Sequence, residues 1–283
     1  MTRRRRLRGA VIAGLSIALV AGGIYTAASL LQRSEQLITE ECTAAAGSQH
    51  ANLATDQAAN AALITAVSVR RGLPPRAASI ALATAMQESK LRNIGHGDLA
   101  GPDSRGLFQQ RPSQGWGTQE QVMDPIYATN AFYDALVKVP GYATLDITDA
   151  AQRVQRSAYP AAYAEHEAMG RSFASALTGE TPAALNCTLR SPDTAGNTAA
   201  VLTQLEAAYG SVPTSATGQT VEVDVTDRYA WSVAHWAVAN AKELAVERVD
   251  VAGKRWDRNA RNGWQDAPDA GGRVAITVAA DGS

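Results

Sequence analysis

Apolar residues recur at helical spacing through much of the first two thirds of the chain, and they predict a mainly α-helical domain over residues 51–188. The first helix begins near Ala54 and ends at Gly72, because glycine favours helix termination. A second helix begins at Pro75, and its apolar stripe ends close to Glu88. Further helical patterns cover residues 125–139, 149–157 and 163–177.

One polar segment interrupts these helical patterns. The sequence NIGHGDLAGPDSRG, from Asn93 to Gly106, is rich in glycine, aspartate and proline, which favour turns over helices. We therefore predict a loop or a small hairpin between the second helix and the next one.

The pattern changes after residue 188. Residues 189–218 predict a linker and then one helix, capped by Asn197 and ended by Gly210. Alternating residues then predict a small α+β module over residues 219–283, so the chain as a whole is an α+β protein. The predicted strands cover 219–225, 248–251, 254–256 and 273–278, and the predicted helix covers 227–244. The module holds four of the five tryptophans, which we expect in its core: Trp231, Trp236, Trp256 and Trp264.

The N-terminal segment has the pattern of a membrane anchor. Residues 1–8 contain five arginines, and residues 9–31 are 23 residues without a charge, enough for a transmembrane helix through a layer of about 30 Å. The positive-inside rule keeps the basic head in the cytoplasm and places the rest outside, with residues 32–50 as a polar stalk. This predicts a single-pass protein of the cell membrane. The same charge pattern fits a cleavable signal peptide with a site near Ala28, which would release a secreted protein.

The composition fits a folded protein with no strong charge. The chain has 283 residues, of which 46% are hydrophobic and 19% charged, and its net charge is -1. Because the arginine head carries five positive charges, the remainder is mildly acidic, which argues against a nucleic-acid surface. The sequence has no metal-binding spacing, phosphate loop or nucleophile elbow, so we predict no metal and no cofactor. The four histidines are scattered, and His96, the one near the candidate site, is expected to be a solvated loop residue.

Two cysteines, Cys42 and Cys187, flank the predicted helical domain. In an oxidising compartment an even pair favours a disulfide, which would join the two ends of that domain. The alternative is two free thiols.

Glu88 is the candidate for acid catalysis. One and two turns earlier on the same helix lie Ala81, Thr84 and Ala85, which offer a small and mostly apolar surface. Burial against such a surface raises a carboxyl pKa, whereas a Thr84 hydroxyl turned toward the carboxylate would lower it. A glutamate that keeps its proton near neutral pH can protonate a glycosidic oxygen. The alternative is an exposed glutamate at a helix end.

Two segments resemble motifs of the lytic transglycosylase and goose-type lysozyme superfamily. Glu88-Ser89 is similar to its Glu-Ser motif, and Gly106-Leu107-Phe108-Gln109 is similar to its Gly-Leu-Met-Gln motif, with Phe in place of Met. The resemblance implies that Glu88 is the general acid. It also implies that Ser89 and the residues of the second motif, with Gln110, bind substrate on the facing wall of a cleft. The string GLFQQRPSQGWGT further resembles exported lysozyme-like domains of actinobacteria.

The resemblance covers residues 54–178 and includes one departure. Ser157-Ala158-Tyr159-Pro160 is similar to the Ala-Tyr-Asn motif of the superfamily, but Pro160 stands where Asn is usual. We therefore expect the polar contact of that Asn to be missing. Three aromatic residues are candidates for stacking on sugar rings: Trp116, Tyr159 and Tyr163.

The reaction type depends on a second carboxylate. Asp98 and Asp103 lie in the polar loop and are candidates for a base, although the compositions GHGD and GPDS favour turn roles. Lytic transglycosylases need only the one Glu. The resemblance therefore implies a membrane-anchored lytic transglycosylase that cleaves peptidoglycan glycan strands between N-acetylmuramic acid and N-acetylglucosamine. The alternative is a catalytically inactive wall-binding or scaffolding module of an envelope or secretion complex.

Overall fold

The computed structural model describes residues 37–99, 101–155, 160–269 and 271–280. The chain divides into two compact units, residues 1–39 and 40–283, and the second unit is described below. The predicted basic head and membrane anchor, residues 1–31, lie outside the described residues. Within the described ranges, no helix combines the length and the apolar character needed to cross a membrane.

The second unit is an α+β structure, as the sequence predicts. Its helices are α1 (Thr55–Arg70), α2 (Pro75–Ser89), α3 (Gln119–Met123), α4 (Pro125–Leu136), α5 (Ile147–Gln155), α6 (Glu167–Leu177), α7 (Thr198–Tyr209) and α8 (Asp227–Ala239). Short 3-10 helices cover Pro112–Gln114 and Pro160–His166. Its strands are β1 (Glu41–Ala46), β2 (Gln49–Ala54), β3 (Leu185–Thr188), β4 (Thr214–Thr217), β5 (Thr220–Val223), β6 (Val246–Val251), β7 (Lys254–Asp257), β8 (Gln265–Asp266) and β9 (Val274–Val278).

A small antiparallel sheet replaces most of the predicted stalk. Strands β1 and β2 form a hairpin, and β3 pairs with the other edge of β1, which gives the order β2-β1-β3. The prediction of a stalk over residues 32–50 is therefore wrong from Glu41 onward. The side chains of β1 alternate, with Cys42 and Ala44 fully buried. Small residues such as these give only a weak alternation of hydrophobicity, which explains why the sequence resembles a stalk.

The predicted disulfide between Cys42 and Cys187 is confirmed. The two residues face each other across β1 and β3, and their sulfur atoms are 1.97 Å apart. Both side chains are buried. The bridge closes a loop of 145 residues in sequence and joins the start of the helical region to its end.

Helix α2 lies at the centre of the helical region. Its apolar residues from Ala77 to Ala85 are all fully buried, so the helix is surrounded by other elements rather than exposed on one side. Helix α6 approaches it closely at Gly170, where an added Cβ would lie 2.7 Å from the Ser79 carbonyl oxygen. The glycine is needed for this approach. This packing fixes the direction of α2 and therefore the position of Glu88 in its last turn.

The C-terminal sheet is antiparallel with the strand order β4-β5-β9-β6-β7-β8. Helix α8 packs against it and also contacts α6 and β3, so the helical region and the sheet share one hydrophobic core. The predicted core role is confirmed for Trp231, Trp236 and Trp256, which are all less than a tenth exposed. Trp264 is partly buried, and its indole nitrogen donates a hydrogen bond to the Leu185 carbonyl oxygen at 2.8 Å.

His235 on α8 connects the sheet-bearing half to the helical half. Its Nδ1 lies 2.7 Å from the Ala176 carbonyl oxygen, and its Nε2 accepts a hydrogen bond from the Ala184 backbone N–H at 3.2 Å. Because Nε2 is the acceptor, the ring is neutral and Nδ1 carries the proton. Burial disfavours the imidazolium and lowers the pKa of His235 to about 4, although the hydrogen bond to Ala176 acts in the opposite direction.

We predict that protonation of His235 destabilises the fold in mild acid. Since the folded pKa lies below the ordinary value of 6.5, the unfolded chain binds more protons between about pH 6.5 and pH 4. The contribution of His235 to the free energy of unfolding is therefore complete above pH 6.5, and about 3 kcal/mol is lost as the pH falls to about 4. Urea unfolding of the wild type and of His235→Gln across this range measures the effect. The variant should lose less stability than the wild type over the window, and parallel curves would contradict the assignment.

Candidate active site

Glu88 lies in the last turn of α2 with its side chain half-buried. The Tyr163 hydroxyl, on the 3-10 helix before α6, donates a hydrogen bond to Glu88 Oε1 at 2.6 Å. The Gln155 side chain, at the end of α5, is a second hydrogen-bond partner of the carboxyl group. Three separate elements therefore meet at this one carboxyl group.

The surroundings of Glu88 favour its protonated form. Burial raises the pKa of Glu88 and is the largest influence on it. The hydrogen bonds from Tyr163 and Gln155 oppose this shift, and the negative charge of Asp98 adds to it. The Thr84 hydroxyl has no part in this balance, because it donates to the Ile80 carbonyl oxygen of its own helix at 2.8 Å.

Ser89 joins the end of α2 to the loop that follows the polar insertion. Its hydroxyl is buried and lies 2.7 Å from the Leu107 carbonyl oxygen. The backbone N–H of Gly106 donates to the Ile94 carbonyl oxygen at 2.8 Å and closes the polar insertion as a loop. Ser89 therefore connects the end of α2, next to Glu88, to the backbone of Leu107. Its burial argues against the predicted contact with substrate.

Most side chains of the second motif are buried rather than presented at a surface. Leu107 and Phe108 are fully buried, and the Phe108 ring stacks on Phe132 with ring centroids 4.6 Å apart. Gln110 is also buried, and its amide donates to the Ala128 carbonyl oxygen at 3.0 Å. The prediction that these three side chains bind substrate is corrected by their packing. Gln109 is half-buried, which leaves it as the candidate for a direct contact.

We predict that Gly106 tolerates no side chain. It has a φ of +78°, and an added Cβ would lie 2.2 Å from the Val122 carbonyl oxygen. Gly106→Ala combines left-handed strain with a clash against backbone, and should cost about 2–5 kcal/mol of unfolding free energy. Gly115 is a matched control, because its φ is +83° and an added Cβ would have no neighbour within 4 Å. Gly115→Ala should cost about 1 kcal/mol, from backbone strain alone. Chemical unfolding of both variants measures the difference, and equal losses would contradict the clash.

The three aromatic candidates have different positions. Tyr163 is fully buried, so its ring is closed to a sugar face and the stacking prediction is corrected to a contact with Glu88. Trp116 is half-buried and lines a surface pocket, where a ring remains accessible. Tyr159 lies outside the described residues.

The two candidate bases also differ. Asp103 accepts hydrogen bonds from the Ser113 backbone at 3.0 Å and from Arg111 at 2.8 Å. Hydrogen bonds from Ser113, and to a smaller extent from Arg111, hold the pKa of Asp103 well below its usual range. Both carboxylate oxygens of Asp103 are therefore engaged in contacts within the protein. Asp98 is exposed and accepts a hydrogen bond from the Gly101 backbone at 2.8 Å, as in a turn. Its charge acts on Glu88, so Asp98 is the acidic neighbour of the site.

Gln155 is a site residue that the sequence alone does not reveal. Its amide donates to the Phe108 carbonyl oxygen at 2.8 Å and also bonds to Glu88. It therefore links Glu88 to the backbone of Phe108. A glutamine at a helix end has no distinctive pattern, and its closeness to Ser157-Ala158-Tyr159 is the one signal in the sequence.

Neither a protein-family model nor a curated protein matches the chain. Within the described ranges, no group of three or more histidine, cysteine, aspartate or glutamate side chains has a metal-binding arrangement. The candidate site therefore rests on the geometry around Glu88.

Proposed function

We propose that the protein cleaves the glycan strands of peptidoglycan, as a member of the lytic transglycosylase and goose-type lysozyme superfamily, with Glu88 as the general acid. One observation carries the proposal: Glu88 is half-buried, and burial raises its pKa while Tyr163 and Gln155 fix its orientation. A protonated carboxyl group held in this way is suited to donate a proton to a glycosidic oxygen.

The proposed reaction needs one carboxyl group. Glu88 gives its proton to the oxygen that joins C1 of N-acetylmuramic acid to N-acetylglucosamine, and the bond between C1 and that oxygen breaks. The resulting Glu88 carboxylate then takes the proton of the 6-hydroxyl of the muramic acid, whose oxygen bonds to C1. The product is a 1,6-anhydro sugar, the leaving sugar keeps the first proton, and Glu88 ends protonated.

The other carboxylates support this reaction over hydrolysis. A hydrolase that inverts configuration needs a second carboxylate free to activate water. The Asp103 oxygens are occupied by Arg111 and Ser113, and the exposed Asp98 is held in a turn. We therefore propose a lytic transglycosylase.

The test uses the full chain in detergent and dye-labelled sacculi. We expect dye release above that of heat-treated protein, and mass spectrometry of the released fragments should find 1,6-anhydromuramic ends. Fragments with reducing ends would instead indicate that the protein is a hydrolase. Binding to sacculi without release would support the alternative, an inactive wall-binding or scaffolding module.

We further predict that Tyr163→Phe shifts the pH profile of dye release. The Tyr163 hydrogen bond lowers the pKa of Glu88, so its removal raises that pKa further while the ring remains in the core. Because the acid must be protonated, activity falls as the pH rises through this pKa. The alkaline limb of the profile should therefore move to higher pH in the variant. An unchanged limb with a lower maximum would mean that Tyr163 has a packing role only.

We propose that residues 9–31 anchor the protein in the cell membrane, with the second unit outside the cytoplasm. The uncharged run after an arginine-rich head supports this location. Carbonate extraction of membranes at high pH should leave the full-length chain in the pellet. Release of a shorter chain into the medium would support the cleaved signal peptide.

A further inference from the structure

A second feature adjoins the candidate active site through Gln155. It is a surface pocket of about 690 Å³, called here the Trp116 pocket. The polar and aromatic part of its lining comes from three segments: the end of the 3-10 helix Pro112–Gln114 with the turn after it, the turn after α4, and α5. Its polar and aromatic lining residues are Gln114, Trp116, Lys138, Arg153 and Gln155.

The charge of the Trp116 pocket is positive. Lys138 and Arg153 line it, and its described lining includes no aspartate or glutamate. Asp149 precedes Arg153 by one helical turn on α5, but within the described ranges no carboxylate forms an ion pair with either cation. Both side chains are exposed, so their charges are available to a ligand at little cost in protein contacts.

Trp116 provides an apolar surface next to these charges. Its half-buried side chain packs against the core, with Val139 and Val154 also in the pocket lining. An accessible indole face beside amide groups is a common arrangement for binding a sugar ring, which is apolar on one face and polar at its edge.

Gln155 connects the Trp116 pocket to the candidate active site. It lines the pocket, while its amide bonds to the Phe108 carbonyl oxygen and to Glu88. A ligand in the pocket therefore lies one side chain away from the carboxyl group.

We propose that the Trp116 pocket is a subsite for a sugar that carries a carboxylate-bearing peptide. In this assignment Trp116 packs on the sugar ring, and Lys138 and Arg153 bind carboxylates of the attached peptide. The inference rests on the proposed function for the sugar, and it adds a selection for peptide-substituted strands over bare ones. Charge-assisted bonds from two cations with no competing carboxylate supply that selection.

Binding is tested with a small probe that the enzyme cannot cleave. In N-acetylglucosaminyl-N-acetylmuramyl tetrapeptide, C1 of the muramic acid carries no further sugar, so the probe lacks the muramic acid C1–O bond assigned to Glu88. The wild-type full chain can therefore be titrated with it by calorimetry. The matched probe is the same disaccharide with the peptide removed. We expect the tetrapeptide probe to bind about tenfold tighter or more, and the difference to shrink as salt is raised.

Two double variants with the same change in net charge locate the effect. Lys138→Met with Arg153→Met should abolish the preference for the tetrapeptide probe. Lys254→Met with Arg273→Met removes two exposed cations from the C-terminal sheet and should preserve the preference. Trp116→Ala should weaken both probes by a similar factor, because it removes the contact with the sugar.

The outcomes separate this inference from the proposed function. If the wild type releases dye but binds both probes equally, the subsite is refuted and the catalytic proposal stands. If the wild type prefers the tetrapeptide probe through Lys138 and Arg153 but releases no dye, the subsite is supported and the catalytic proposal fails. If both double variants lose the preference equally, overall charge accounts for it and the subsite is refuted.

Discussion

Replacing Glu88 with glutamine should lower the rate of dye release from sacculi by about 10²- to 10⁴-fold, the usual contribution of a general acid. Glutamine has nearly the same shape and accepts a hydrogen bond from Tyr163, but it has no proton of suitable acidity to give to a glycosidic oxygen. The expected loss is therefore in the maximal rate, with binding of sacculi retained. Initial rates over a range of sacculus concentrations separate the two quantities.

Glu165→Gln is the matched control for this variant. Glu165 is an exposed carboxylate on the 3-10 helix that carries Tyr163, so its replacement makes the same chemical change close to the site. It should leave the rate within about twofold of the wild type. If Glu88→Gln and the control release dye at the same rate, Glu88 is not the acid and the catalytic proposal fails.

The stability of Glu88→Gln provides an independent measurement. Because the pKa of Glu88 is raised in the folded state, this group contributes most to stability below its unfolded pKa, and the contribution is lost as the pH rises through the folded pKa. At neutral pH the variant should therefore be as stable as the wild type or more stable. A loss of activity together with equal or higher stability is typical of a residue kept for function rather than for folding.

The helices that position the site are largely readable from the sequence. Pro75 begins α2 and Glu88 lies in its last turn, as the apolar stripe predicts. Asn197 caps α7 through its side chain, with its Oδ1 2.8 Å from the Ala199 backbone N–H. These signals are local, so they need no knowledge of distant partners. The sheet β2-β1-β3 is not readable in this way, because its small residues alternate only weakly in hydrophobicity and β3 lies about 140 residues from β1 in sequence.

The roles of the site residues are harder to predict from the sequence, because they depend on which side chains are buried in the folded structure. The sequence predicts Phe108 as a residue that binds substrate and Tyr163 as one that stacks on a sugar ring, yet both are fully buried. Burial is decided by the packing of α4 and of the 3-10 helix, which a short motif does not encode. Gln155 illustrates the opposite case, since an ordinary helix-end glutamine becomes a contact of Glu88 only through the tertiary fold.

Removing the disulfide should produce the largest loss of stability among the variants considered. Cys42→Ala with Cys187→Ala opens a loop of 145 residues between β1 and β3. The chain-entropy estimate for so long a loop is about 5 kcal/mol at 25 °C, which is a large share of the stability of an ordinary domain. The midpoint of urea unfolding should fall accordingly, and the loss should appear together for the helices and the C-terminal sheet, because they share one core.

The wild type in the presence of a thiol reductant is the control for that double variant. Both lack the covalent link, so their unfolding midpoints should agree, while the oxidised wild type stays higher. The sheet β2-β1-β3 also gives a reason to expect that activity falls together with stability. Strand β2 runs directly into α1, and β1 packs against α6, which packs against α2, the helix that carries Glu88. If the double variant unfolds at the midpoint of the oxidised wild type, the bridge adds nothing to folding. The position of α2 would then be fixed by its apolar packing alone.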